Sequence, residues 1–152
     1  MKDGAGDAER LLSGVFGFAD FRPGQGEIVE AVVAGRDVLA IMPTGGGKSL
    51  CYQLPALLRD GVTVVISPLI ALMRDQVRAL RAAGVNAGAL TSQTDPDEMA
   101  QIFDELDAGR LKLLYMAPER LASGGAETLL RRIGVSLLAV DEAHCVSQWG
   151  HD

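Results

Sequence analysis

Met42-Pro43-Thr44-Gly45-Gly46-Gly47-Lys48-Ser49 closes an apolar run, Val38 to Met42, and opens an apolar stretch of helical character, Leu50 to Leu58. Three consecutive glycines remove the side-chain barrier to close approach, so backbone N–H groups can converge on a polyphosphate at the start of the following helix. In that arrangement Thr44, Gly45, Gly46 and Gly47 cradle the phosphates, Lys48 reaches the β and γ groups, and Ser49 offers a hydroxyl to Mg²⁺. The general spacing G-x-x-x-x-G-K-[ST] asks for glycine at position 42, where this chain has Met, so only the tail of the pattern is matched.

Further along, Val62 to Ile66, Leu111 to Met116 and Ser136 to Val140 are apolar almost throughout, as strands covered on both faces are; Val85 to Leu90 is a weaker fifth strand. Leu69, Leu72, Met73, Gln76, Val77 and Leu80 keep helical spacing, and so do Met99, Ile102, Phe103 and Leu106 after the helix-start signal Asp95-Pro96. Strands alternating with helices predict an α/β fold with a mostly parallel sheet and right-handed crossovers. In such sheets ligands sit at the carboxyl ends of the strands, so chemistry is expected in the polar residues that follow each run.

The last run leads into Asp141-Glu142-Ala143-His144. A carboxylate at the end of a strand beside a phosphate loop can hold Mg²⁺ through its water shell, the role expected of Asp141, while Glu142 can orient and deprotonate an attacking water. On its own an Asp-Glu pair after a strand is a solvated turn; the upstream loop gives it chemical meaning.

With 152 residues, 48% of them hydrophobic and 22% charged, the chain suits one soluble globular unit that needs no staple. Cys51 and Cys145 form no C-x-x-C pair and read as reduced thiols of a cytosolic protein. Residues 1–9 carry no large apolar side chain after Met1 and no signal-peptide pattern, and are expected to be a disordered tail. A net charge of −6 excludes a surface that is basic all over, so any nucleic-acid contact must be local.

From Phe16 onward, Phe16-Gly17-Phe18, Phe21-Arg22-Pro23-Gly24-Gln25, Met42 to Ser49, Ser67-Pro68-Leu69, Ala117-Pro118-Glu119-Arg120-Leu121 and Asp141 to Asp152 resemble the successive motifs of RecQ helicases in superfamily 2. The resemblance covers nearly the whole chain, and Met42 is normal in that family's phosphate loop. It implies a RecA-like P-loop domain over residues 10–152, with helices on both faces of the sheet, ending after the Asp141–His144 motif and before a second RecA-like domain. It implies ATP and Mg²⁺ as cofactors, with Phe18, Arg22 and Gln25 around the adenine. A Gln amide can both donate and accept across the N6/N7 edge of that base. Phe18 stands where the family commonly has Tyr; it reads either as a stacking surface or as plain core.

The same resemblance implies that Ser67, Pro68, Thr91, Ser92 and Arg120 face a DNA backbone, with single-stranded and forked DNA as partners. Capping and turn formation is the plainer reading of each of these residues. His144 is assigned to coupling, and Trp149 to an aromatic loop that links DNA binding to hydrolysis. The implied activity is ATP-driven DNA translocation and unwinding in recombination and repair, in a cytoplasmic protein without a membrane segment. Lacking a second domain and its arginine finger, this chain is expected to unwind nothing alone. A P-loop phosphotransferase and a non-catalytic nucleotide- or DNA-binding module are the alternatives.

Overall fold

The computed structural model describes residues 4–35, 49–122, 128, 131 and 135–140. The expected strand 38–42, the loop residues 43–48 and the segment 141–152 lie outside the described residues. Length and composition predict one folding unit; within the chain two compact units are distinguished, Met1–Asp60 and Gly61–Asp152.

The first unit holds three helices, α1 (Gly4–Gly14), α2 (Gln25–Val33) and α3 (Leu50–Leu58). The third coincides with the apolar stretch Leu50 to Leu58 read from the sequence. Ala8, Leu12, Val29, Leu50 and Leu54 form its buried core, with Phe16 and Phe21 packed against it. Each large side chain so enclosed contributes about 1.5–3 kcal/mol. The guanidinium of Arg59 donates to Val32 O at 2.8 Å, placing a cation on a terminal carbonyl of α2. Of the disordered tail expected over residues 1–9, Gly4 to Glu9 belong to α1 and Ala8 is buried in the core, while residues 1–3 lie outside the described residues. Ala8 and Leu12 are one helical turn apart and enter the core together, so a small residue does the packing that the sequence reading sought from a large one.

The second unit runs β1 (Val62–Ile66), α4 (Ile70–Ala82), β2 (Ala87–Leu90), α5 (Pro96–Asp107), β3 (Leu113–Met116), α6 (Pro118–Ala122) and β4 (Val135–Val140). Its strands form a sheet in the order β2-β3-β1-β4, every neighbour parallel. This is the predicted α/β arrangement with a parallel sheet. On one face Val62, Val64, Ile66, Leu114 and Met116 pack with Ile102 of α5, and Met99 and Leu106 lie against them. Thr63, Val65, Leu113 and Tyr115 alternate to the other face and are buried as well, so the central strands are covered on both sides. The expected start of α5 is observed: Asp95 caps the helix by accepting from Glu98 N at 2.8 Å, with Pro96 in the first turn.

One strand departs from expectation. Ser136 to Val140 reads as covered on both faces, yet Leu138 and Val140 are 56% and 45% exposed. They share one face of β4, which pairs with β1 alone among the described residues.

At the other border, Asn86 O and Leu90 O accept from β3 and the residue after it, so Ala87 and Ala89 turn their backbone groups outward. Both outward carbonyls are occupied. Ala87 O accepts from Arg81 Nε at 2.7 Å and Ala89 O from Thr94 Oγ1 at 2.7 Å. None of the described helices is long and apolar enough to cross a membrane.

Candidate functional site

In the first unit, Arg22-Pro23-Gly24-Gln25 makes a tight turn into α2. Pro23 suits its second position, and Gly24, at φ 86° and ψ −21°, takes the left-handed conformation that the third position of a type II turn requires. Gln25 N donates to Arg22 O at 3.0 Å, and Arg22 N donates back to Gln25 Oε1 at 2.7 Å. The turn is thus closed twice, and the Gln25 amide, only 3% exposed, is held in one orientation. Its carbonyl oxygen has a second lone pair, so accepting from Arg22 does not exhaust it.

Ser49 precedes α3 with helical angles, φ −62° and ψ −32°, and its hydroxyl makes no capping bond to the helix. A serine at this place ordinarily caps its own helix. Here the backbone is already helical, which takes the hydroxyl away from the helix N–H groups.

Phe18, Arg22, Gln25 and Ser49 line one recess of about 150 Å³, together with Phe16, Asp20, Leu50 and Gln53. Ligand pockets for drug-sized molecules run to roughly 300–1,000 Å³, so this recess has room for only part of a nucleotide. Phe18 is 51% exposed, which removes the core reading and leaves an aromatic face at the mouth. Phe16 lies against the core of the unit and also lines the recess. Gln53 was not singled out from the sequence. It lies one helical turn beyond Ser49 and is the one side chain of Leu50–Leu58 with an amide, the signal that could have found it. Next to Leu50, Cys51 is buried, and burial pushes its thiol pKa up.

In the second unit, the segments expected to face DNA share the carboxyl edge of the sheet. Ser67 N donates to Met116 O and Ala117 N to Leu90 O, so the residues following β1, β3 and β2 are neighbours. Val140 pairs with Ile66, so β4 ends at the same edge. The hydroxyls of Ser67 and Thr91 are buried and used locally: Ser67 Oγ accepts from Leu69 N at 3.3 Å and Thr91 Oγ1 from Gln93 N at 3.0 Å. Ser92 is exposed; Pro68 and Arg120 are half-buried, and Arg120 reaches Met99 Sδ at 3.7 Å. Thr44, Gly45, Gly46, Gly47, Lys48, Asp141, Glu142, His144 and Trp149 lie outside the described residues.

Residues 22–152 match the family model described as DEAD/DEAH box helicase. The chain is 49% identical over 142 residues to the ATP-dependent DNA helicase RecQ of Haemophilus influenzae, covering 93% of this chain and 23% of that protein. It is 51% identical over 146 residues to the protein of the same name from Bacillus subtilis, covering 95% of this chain and 25% of that protein. The chain therefore spans about a quarter of the length of these curated relatives. Its fold is similar to that of the helicase MrfA in a crystal structure with DNA, with a TM-score of 0.65 at 23% identity over 87% of this chain and 20% of that one.

Proposed function

The chain belongs to the DEAD/DEAH box helicase family, and from that premise we propose that it is the ATP-binding half of a RecQ-type DNA helicase motor. The observation that carries the proposal is the meeting of Gln25 and Ser49 in one recess although 23 residues separate them in sequence. A fixed amide and a hydroxyl that does not cap its own helix, both lining one recess, suit a purine nucleotide with its base at Gln25 and its phosphates running past Ser49. Phe18 then stacks on the base, and Arg22, at the rim, adds a charge.

The hydroxyl of Ser49 is a hard oxygen donor of the kind Mg²⁺ prefers, and Asp141 is the carboxylate assigned to the same ion. When bound, that ion neutralises charge on the β and γ phosphates. Lys48 is assigned to the same phosphates, and Glu142 takes the proton of the attacking water. His144 and Trp149 pass the state of the nucleotide to DNA, whose backbone lies along the carboxyl edge at Pro68, Ser92 and Arg120. The buried hydroxyls of Ser67 and Thr91 shape the turns on that edge. Hydrolysis in this scheme is completed by a second RecA-like domain that contributes an arginine finger.

DNA-stimulated ATP hydrolysis by the full-length protein tests the reading. Glu142→Gln is expected to keep ATP binding and abolish turnover, while Lys48→Ala is expected to lose both. Hydrolysis indifferent to DNA would favour a phosphotransferase instead.

A further inference from the structure

Along the outer side of β2 runs a groove of about 240 Å³ that the nucleotide scheme does not use. Its α4 wall carries Arg74, Arg78 and Arg81, its end is formed by Thr91 and Thr94, and Glu98 stands on the α5 wall. In a chain with 20 acidic and 14 basic residues, three arginines on a single helix face make a local field of the opposite sign. Positions 74, 78 and 81 fall on one face of a helix by the three- and four-residue spacing.

Two of these arginines are positioned before any ligand arrives. Arg74 Nη2 donates to Gln93 O at 3.1 Å, and Arg81 Nε donates to Ala87 O at 2.7 Å. A guanidinium has five N–H donors, so one anchoring bond leaves most of its donors while removing much of its rotamer freedom. Anchored guanidinium groups in one groove suit a row of anions, because part of the ordering cost of binding has already been met. Arg78 makes a surface ion pair with Asp75, at 3.6 Å.

The geometry points to this groove as a second track for the DNA phosphate backbone, held by Arg74, Arg78 and Arg81. The inference rests on the DNA-motor reading and extends it to a surface away from the strand ends. Along the helix the three arginines span about 10 Å, enough for roughly three phosphates of one strand. Thr91 and Thr94, which line the groove, belong to the segment that leaves β2 at the carboxyl edge, so a strand lying on that edge has a short path into it. An acidic peptide is the competing occupant; continuity with that edge favours DNA. Glu98 repels phosphate from the opposite wall and keeps the strand on the α4 side.

The test is the salt dependence of binding of this chain to fluorescent single-stranded and forked oligonucleotides. Arg74→Gln/Arg78→Gln is expected to weaken binding about tenfold at low salt and to flatten the plot of log K against log salt by about 0.7–0.9 for each phosphate that is no longer neutralised. Glu98→Gln is expected to tighten binding a few-fold. ATP affinity and unfolding temperature are expected to stay unchanged in both. Affinity and slope untouched by the arginine pair would overturn the groove. So would competition by polyglutamate as effective as that of unlabelled DNA at equal charge. A chain that binds ATP but neither oligonucleotide would overturn the DNA reading itself, whereas binding lost on changing Ser92 and indifferent to Arg74 and Arg78 overturns only the groove.

Discussion

The backbone N–H of Arg22 donates to Gln25 Oε1 at 2.7 Å, so one side chain both closes the turn before α2 and faces the recess assigned to the purine. The two duties can be separated by substitution. Gln25→Glu keeps an acceptor for Arg22 and removes the amide donor, and is expected to lower ATP affinity about tenfold, the worth of one hydrogen bond, with a small change in unfolding temperature. Gln25→Ala removes both and is expected to lower affinity and unfolding temperature together. Nucleotide titration beside thermal melting checks the pair; equal effects of the two variants on both readouts would refute the separation.

A methyl group added to Gly88 of β2 would fall 2.7 Å from Cγ1 of Ile102, inside any normal contact, and Ile102 is the buried residue of α5. Gly88→Ala is therefore expected to cost about 1–3 kcal/mol by overpacking. In the double variant with Ile102→Ala the methyl finds room, so the cost is expected to fall about 1 kcal/mol short of the sum. Urea unfolding of all four proteins measures it, and strict additivity would contradict the contact.

Thr63 Oγ1 is buried in β1 and makes no hydrogen bond among the described residues. An unsatisfied buried hydroxyl costs free energy that an isosteric methyl does not. Thr63→Val is expected to stabilise the chain by about 1 kcal/mol, seen as a higher urea midpoint at unchanged slope.

Burial raises the pKa of Cys51 above its ordinary value of 9.0. The folded state holds this proton more tightly than the unfolded one. Its contribution to stability is therefore complete below the unfolded pKa and is lost as pH rises through the folded one. In a Cys145→Ser background, maleimide labelling of Cys51 near neutral pH is expected to require unfolding, and stability is expected to fall above about pH 9. Rapid labelling of the native protein at neutral pH would contradict the buried, protonated thiol.

The strands were legible because uniform apolar runs such as Val62 to Ile66 have no other economical use. The start of α5 was legible because Asp95-Pro96 is a local capping signal. Helix α1 was not, since a helix face built on Ala8 lacks the large side chains that periodicity detects. Gln25 and Ser49 were each readable from motif resemblance, but their meeting in one recess is a tertiary fact. The groove was hidden for a further reason: the spacing of Arg74, Arg78 and Arg81 does not disclose the bonds to Gln93 O and Ala87 O that hold two of them.

Those bonds bear on life at high concentration. A bare strand border invites a like molecule to zip onto it, the first step towards insoluble fibres. With Arg81 and Thr94 each occupying an outward carbonyl of β2, this margin offers a newcomer few acceptors. A second copy pairing along that seam would have to compete with bonds already made.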